Sequence, residues 1–218
     1  MFGCILAYLV LQIYFGFVCS RGASVHLPLW ALNDTIPTIR RNENLMVPNN
    51  LRNYTLSKNE EDVDAYENFF FKMTHGIILE TGGGEFSNTL FFEKIANWRA
   101  IHVEADPNVY KTLKTTRYNQ IAVHAALCST SRFVHFVPSD IQAVGIWEAM
   151  SPSFINLFHS DLKNHPEKVE KLPVVLCVTV TTILKRLGFP HIDLWLLDTD
   201  GSEEDVLKGY DPKQVPSR

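Results

Sequence analysis

The feature that most constrains the fold is a run of three glycines, Gly82–Gly84, which follows an apolar stretch that ends at Glu80. Glycine has no Cβ, so the chain can reverse tightly here and a ligand can approach the backbone closely. A second acidic residue, Glu104, ends the next apolar stretch and lies 20 residues after Gly84. At that spacing in a βαβ unit an acidic side chain meets a ribose diol. Together the two features predict a site for an adenosine-type ligand.

The rest of the chain alternates apolar extended segments with segments of helical periodicity. The predicted strands are Gly76–Glu80, Ala100–Glu104, Ile121–Leu127, Arg132–Val137, Val174–Val178 and Ile192–Leu197. The predicted helices are Ser87–Asn97, one that starts at Asp106-Pro107, Ser151–Leu162, Thr181–Leu187, and one that Ser202 caps and that ends at Gly209. This alternation predicts an α/β fold with a doubly wound sheet.

Residues 57–218 are assigned to this domain. Near its start, Val63, Tyr66, Phe69 and Phe70 recur at helical spacing and predict a helix that packs on the sheet. The strand Ile192–Leu197 is almost entirely apolar, as in strands covered on both faces, and it would be expected in the middle of a sheet. Only one predicted helix follows it. Either the upstream segment or a partner covers its far edge, or the chain is a truncated form of a longer protein; we expect truncation.

Residues 1–20 predict a secretory signal peptide or an uncleaved signal anchor. Residues 2–19 contain no charged side chain, and Arg21 follows directly after Ser20. Such a stretch is long enough to span a bilayer, so membrane anchoring by residues 2–19 is one outcome and cleavage the other. A buried helix is the remaining alternative. Residues 21–56 carry scattered Pro, Asn and Arg and predict an extended lumenal lead-in.

Two further features indicate the secretory pathway. Asn33-Asp-Thr and Asn53-Tyr-Thr are glycosylation sequons. Cys128 and Cys177 are the only cysteines outside the leader, and they are either a disulfide or two buried small apolar residues. We therefore expect a glycoprotein that is secreted or retained in the endoplasmic reticulum, the Golgi or a membrane.

The charge pattern and the motifs exclude several classes of function. The chain has 24 acidic and 20 basic residues, and no basic cluster of the kind that binds nucleic acid. The strict pattern of a nicotinamide-binding loop fails because Ser87 occupies its last glycine position. No Gly-Lys-Ser/Thr phosphate loop is present, and no His/Cys spacing predicts a metal site.

Several motifs resemble those of a known family. They are Glu80-Thr-Gly-Gly-Gly, Ser87-Asn-Thr-Leu, Val103-Glu-Ala-Asp-Pro-Asn, Ala125-Ala-Leu-Cys and Leu197-Asp-Thr-Asp-Gly-Ser-Glu-Glu-Asp-Val-Leu-Lys-Gly. Over about residues 75–211 the chain resembles the FkbM-type methyltransferase domain, including an animal branch that is similar to the secretory-pathway protein Star. The resemblance implies a Rossmann-like class I methyltransferase sheet that binds S-adenosylmethionine.

The same resemblance implies roles for individual residues. Glu80 and Gly82, Gly83 and Gly84 would line the methionine and ribose side of the cofactor. Glu104 would accept both ribose hydroxyls, while Asp106 and Ala126 would neighbour the adenine. Asp198 would face the methyl group and the acceptor, and Asp200 and Glu203 follow it on the same loop.

A methyl transfer to oxygen needs a base near the acceptor. Asp198 or Asp200 is the candidate. His102, His124, His135, His159 and His191 are alternatives, although a histidine on an apolar strand is more often a packed core residue.

Two functions remain open. One is an S-adenosylmethionine-dependent methyltransferase that acts on a hydroxyl of a glycan or small molecule. The other is a non-catalytic regulator of secretory trafficking or receptor signalling, which uses the fold as a binding platform, as the likeness to Star implies. In either case the acceptor or partner could be a glycan, a small molecule or a protein. The chain departs from the family pattern in a shorter loop after Gly82 and in Asp200-Gly-Ser, where Glu-Gly-Ala is more usual.

Overall fold

The computed structural model describes residues 24–28, 38–55, 57, 59–84, 88–138, 143–189 and 191–215. Its strands are β1 (Ser24–His26), β2 (Arg40–Arg41), β3 (Met73–Thr74), β4 (Ile77–Thr81), β5 (Arg99–Glu104), β6 (Ile121–His124), β7 (Ala126–Leu127), β8 (Arg132–Val137), β9 (Gly145–Ile146), β10 (Val174–Val178) and β11 (Leu194–Leu197). Its α-helices are α1 (Glu61–Ala65), α2 (Leu90–Ile95), α3 (Pro107–Thr116), α4 (Pro152–Phe158), α5 (Ser160–Asn164), α6 (Pro166–Val169), α7 (Val180–Leu187) and α8 (Glu203–Lys208). The fold is mixed α/β, as the alternation of segments predicted.

The main sheet has five strands in the order β1–β6–β5–β4–β11. The last four in this order pair in parallel, and β1 pairs antiparallel with β6. Along the chain, these four parallel strands come third, second, first and fourth. The direction in which strands are added therefore reverses beside β4, and a crevice for ligands is expected at the carboxyl ends there.

Helices cover both faces of the main sheet because its side chains alternate between the faces. Ile77 and Leu79 of β4 belong to a buried cluster with Leu184 of α7 and Val206 of α8. The residue between them, Ile78, belongs to a second cluster that contains Phe91 and Phe92 of α2. The strand is thus buried on both faces, which fixes the position of the loop that follows it.

A second sheet has the order β7–β10–β8–β9. The segment Ile121–Leu127 was predicted as a single strand, and that prediction was wrong. The segment forms β6 in the main sheet and β7 in the second sheet. The division occurs at Ala125, whose N–H donates to Glu104 O at 3.1 Å. Three residues later, the N–H of Cys128 donates to Val178 O at 3.0 Å. The chain therefore exchanges β5 for β10 as its pairing partner.

Two predicted helical segments differ in detail. The segment Ser151–Leu162 is divided into α4 and α5 at His159, where φ is −130° and the ring Nε2 lies 2.8 Å from Ala143 O. After α1, the chain continues as a π-helical turn, Tyr66–Phe70. The wider turn breaks the 3.6-residue periodicity, so Tyr66 is buried as predicted whereas Phe69 is 78% exposed.

The apolar strand β11 is the outer strand of the main sheet among the described residues and pairs with β4 alone. All four of its residues are partly exposed. Leu194 and Leu196 pack against one core cluster, and Trp195 and Leu197 against the other. Both faces are therefore covered, as predicted, whereas the position in the middle of a sheet is not observed within the described residues.

The predicted leader, residues 1–20, and the first sequon at Asn33 lie outside the described residues. In the described ranges, no helix combines the length and the apolar character needed to cross a bilayer. The second sequon is described: Asn53 is exposed in the 3-10 turn Leu51–Tyr54.

A disulfide joins Cys128, which follows β7, to Cys177 of β10. The two Cα atoms are 5.7 Å apart, both residues are fully buried, and 49 positions separate them in sequence. The bond therefore fixes the second sheet at the point where the chain leaves the first.

We expect the double variant Cys128→Ala/Cys177→Ala to lose about 2–4 kcal/mol of unfolding free energy, because the crosslink no longer restricts the unfolded chain. Urea unfolding of the oxidised wild type, the reduced wild type and the double variant measures the loss. The reduced wild type is the control and should resemble the variant. Identical midpoints for oxidised and reduced wild type would contradict a structural role for the bond.

Candidate functional site

A cavity opens at the carboxyl ends of the parallel strands, beside β4, where the strand order reverses. It encloses about 720 Å³, including the part that is open to solvent. That volume is in the range of small-molecule sites, roughly 300–1,000 Å³. Its walls come from the ends of β4 and β5, from residues 125–127, from the second sheet and from the loop after β11.

The glycine loop forms one wall through Gly82 and Gly84. Gly82 has φ of 76°, and a Cβ there would overlap Asp198 O and lie 2.9 Å from the carbonyl carbon of the same residue. Glycine is therefore required at this position by the protein's own backbone, before any ligand is considered. Gly84 also has positive φ, 62°, but a Cβ there would meet no described atom within 4 Å.

Gly83 and Glu80, which were predicted to line the cofactor, are not part of the cavity wall. Side chains alternate along β4, so Thr81 faces the cavity and Glu80 faces away, beneath the loop. There Glu80 Oε1 accepts the N–H of Asn88 at 2.7 Å. A Cβ on Gly83 would lie 2.5 Å from the same oxygen. Glu80 thus supports the loop from below.

Glu104 and Asp106 line the cavity at the end of β5. Glu104 is 5% exposed, and its Oε1 accepts the N–H of Asp106 at 2.7 Å. Burial, together with the charge of Asp106, raises the pKa of Glu104 to about 7. The hydrogen bond from the N–H of Asp106 acts in the opposite direction and lowers this pKa. Asp106 is also the N-cap of α3, where its Oδ1 accepts the N–H of Asn108 at 2.8 Å.

The wall opposite is apolar. Ala126 of β7, which was predicted to neighbour adenine, lines the cavity together with Phe136 of β8 and with Gly145 and Ile146 of β9. Sequence reasoning missed the last three residues. The strand that contains Phe136 was predicted, but only its long-range pairing with β10 brings it to the site, and no local pattern signals that pairing.

The loop after β11 completes the cavity with Asp198, Thr199, Asp200 and Ser202. Glu203 shapes this loop, since its Oε1 accepts the N–H groups of Thr199 at 2.9 Å and Gly201 at 3.1 Å. Ser202 is at the N-cap position of α8, as predicted, but its hydroxyl donates to Thr199 O at 3.1 Å and makes no capping hydrogen bond to the helix. The carboxylate of Glu203 is therefore a structural acceptor on the loop.

The two candidate bases, Asp198 and Asp200, lie together on this loop and are reached by solvent. Partial burial and the charges of Glu203, Glu61 and Glu80 raise the pKa of Asp198. Partial burial and the charges of Asp198 and Glu203 raise the pKa of Asp200. A raised pKa makes each carboxylate a better proton acceptor near neutral pH.

Histidine is not among the described residues that line the cavity. The five candidate histidines have structural contacts instead: His102 with Glu80, His124 with Tyr110 and Ala105 O, His135 with Glu148, His159 with Ala143 O, and His191 with Asp193. Within the described ranges, no group of three His, Cys, Asp or Glu side chains could hold a metal ion.

Comparison with protein families gives one match. The model of the methyltransferase FkbM domain matches residues 62–218, which is well over half of the chain and includes every cavity residue named above. No curated protein and no solved structure matches the chain.

The contrast between two loop glycines is testable. Gly82→Ala should lower the free energy of unfolding by about 3 kcal/mol or more, because it combines left-handed strain with a collision against Asp198. The control, Gly84→Ala, carries the strain alone and should cost about 1–2 kcal/mol. Urea unfolding of both variants gives the comparison. Equal losses would contradict the close approach of Gly82 to the strand end.

Proposed function

The chain belongs to the FkbM methyltransferase domain family, and we propose that it is a Rossmann-like class I enzyme that uses S-adenosylmethionine. We further propose that the acceptor is a hydroxyl of a glycan or small molecule in the secretory pathway. The main support is that one cavity collects a glycine loop, Glu104, an apolar wall and Asp198. The order of the four parallel strands supports the class I assignment.

The cavity residues fit this cofactor in chemical type. Glu104 presents a carboxylate that can accept hydrogen bonds from the two ribose hydroxyls. Ala126, Phe136 and Ile146 offer apolar surface for the adenine ring. Gly82 and Gly84 present backbone to the cavity, and at Gly84 no described atom lies within 4 Å of the position that a Cβ would take, so a ligand can approach the backbone there.

In the proposed reaction the methyl group passes directly from the cofactor to the acceptor, without a covalent bond to the protein. S-adenosylmethionine, when bound, supplies a sulfonium methyl group whose transfer to a hydroxyl oxygen leaves S-adenosylhomocysteine and releases the hydroxyl proton. Asp198 or Asp200 would accept that proton, a contribution of roughly 10²–10⁴-fold in rate. The rest comes from positioning. The N–H of Asp198 donates to Thr81 O at 3.0 Å, which fixes the base relative to the glycine loop.

Three features support the secretory pathway as the location. Disulfides persist in oxidising compartments, and the bond between Cys128 and Cys177 is fully buried. Asn53 is exposed where a glycan could extend into solvent. Residues 2–19 contain no charged side chain, as is typical of a signal peptide or a signal anchor.

We expect folded wild-type protein to bind S-adenosylmethionine, with an affinity that rises about tenfold between pH 6 and pH 8 as Glu104, with a pKa of about 7, becomes ionised. Only the carboxylate accepts from both hydroxyls. Glu104→Gln should bind weakly and lose this pH dependence. Isothermal titration measures both, and Glu167→Gln, an exposed change on α6, is the matched control.

A second variant separates binding from transfer. Asp198→Asn should still bind the cofactor, with the pH dependence that Glu104 sets, while slowing transfer of a tritiated methyl group to a pool of secreted glycans. Absence of cofactor binding by folded wild type would reject the enzyme function. If the wild type binds the cofactor but transfers no methyl group, the result would instead favour a non-catalytic regulator that uses the fold as a binding platform.

For the location, we expect protein recovered from the exporting cell to carry a glycan at Asn53 and the disulfide between Cys128 and Cys177. Peptide mass spectrometry before and after enzymatic deglycosylation reports both in one digest. Asn53→Gln should remove that glycan and leave the disulfide intact. An unmodified Asn53 together with two reduced cysteines would contradict passage through an oxidising lumen.

A further inference from the structure

Beneath the glycine loop lies a buried ionic network that the proposed chemistry does not use. His102 of β5 is at its centre, with Nδ1 3.1 Å from Glu80 Oε2 and Nε2 3.7 Å from Glu93 Oε1. Arg117, after α3, donates to Glu93 Oε1 at 2.7 Å. The network therefore joins β4, β5, α2 and the end of α3 directly below the loop.

The charges of this network balance only if His102 is protonated. The side chains of Glu80, His102, Glu93 and Arg117 are all less than 10% exposed. With both carboxylates ionised, the described groups of the network carry two negative charges and one guanidinium, so a neutral imidazole would leave a net negative charge in the protein interior. A buried net charge is unfavourable, whereas an imidazolium between the two carboxylates balances it. The geometry thus calls for an imidazolium.

The elements that pack against His102 bring two carboxylates to it. Strand β4 presents Glu80 beside it, and α2 presents Glu93, which also accepts the hydroxyl of Thr89 at 2.6 Å. On the other side, β6 presents Ala122, which is apolar. Arg117 is therefore the only other cation among the described groups that contact these two carboxylates at the network.

We propose that His102, as an imidazolium, is a positioning residue for the cofactor loop. By pairing with Glu80 it holds that carboxylate against the N–H of Asn88, at the far end of the loop that starts at Gly82. The backbone of Gly83 packs directly against the Glu80 side chain, so the position of this carboxylate determines the position of the loop backbone. The inference rests on the proposed function only in assigning cofactor binding to this loop.

The pKa values agree with the geometry. Burial by itself would lower the pKa of His102, but the hydrogen bond with Glu80 and the negative charges of Glu80 and Glu93 raise it to about 9. Burial would raise the pKa of Glu93, but His102 and Arg117 lower it to about 2. Because the folded pKa of His102 lies above the unfolded value of about 6.5, its stabilisation is complete below pH 6.5 and is lost as pH rises through 9.

The first test measures the proton directly and needs no cofactor. Nitrogen-15 spectra of histidine-labelled wild type should show both ring nitrogens of His102 protonated at pH 7, with titration near pH 9. The assignment comes from the one signal missing in His102→Gln, or from backbone correlation if that variant does not fold. A neutral His102 ring at pH 7 would overturn the inference.

The second test measures the loop through cofactor affinity. His102→Gln should weaken S-adenosylmethionine binding by about tenfold to a hundredfold, the range expected for a buried charge left without its partner. Adding Glu80→Gln removes the negative charge that His102 had paired, leaves Arg117 paired with Glu93 and keeps an oxygen for the N–H of Asn88. It should therefore restore much of the affinity, which a role in packing alone would not allow. Wild-type binding should weaken above pH 9, whereas binding by the double variant should not.

His135→Gln, which alters an outer His–Glu pair, is the control and should bind as the wild type does. Wild-type affinity in His102→Gln, or a double variant no better than the single one, would overturn the positioning role. If the wild type does not bind the cofactor at all, the proposed function fails. In that case the spectra, together with the pH dependence of unfolding in wild type and His102→Gln, decide the inference by themselves.

Discussion

The site depends on how closely the chain that follows β4 approaches the chain that follows β11. Thr81 O accepts the N–H of Asp198, and the next residue, Gly82, lies against the Asp198 carbonyl with no room for a Cβ. Parallel pairing brings the carboxyl ends of these strands to one edge. The glycine loop and the acidic loop therefore share a single cavity, and a side chain at position 82 would separate them.

The second sheet turns this open edge into a cavity. The chain leaves the main sheet at Ala125, and β7 pairs with β10 while β8 and β9 carry Phe136 and Ile146 to the opposite wall. The disulfide between Cys128 and Cys177 ties this wall to the point of departure. The apolar residues of the cavity wall are thus fixed relative to Glu104 by sheet pairing and by a covalent bond.

Much of this arrangement follows from local sequence patterns, and the remainder does not. Two apolar stretches that each end in an acidic residue, together with the glycine spacing, were sufficient to predict β4, β5 and Glu104 at the cavity, because each signal lies within one βαβ unit. Phe136 and Ile146 could not be predicted, since their position depends on pairing between distant strands. Glu80 was assigned to the cofactor through the family resemblance, although strand parity already places it on the face opposite Thr81. Phe69 was misassigned because a π-helical turn shifts the helical period.

The distribution of charge around the site follows a consistent pattern. The charged side chains of the described cavity wall, Glu104, Asp106, Asp198 and Asp200, are all acidic. His102 and Arg117 lie beneath the glycine loop, already paired with Glu80 and Glu93. A cavity wall that carries charges of one sign attracts a ligand of the opposite sign, so this asymmetry favours a cationic ligand. The proposed cofactor carries a sulfonium before transfer and a neutral thioether afterwards, which means that the carboxylates attract the reactant more strongly than the product.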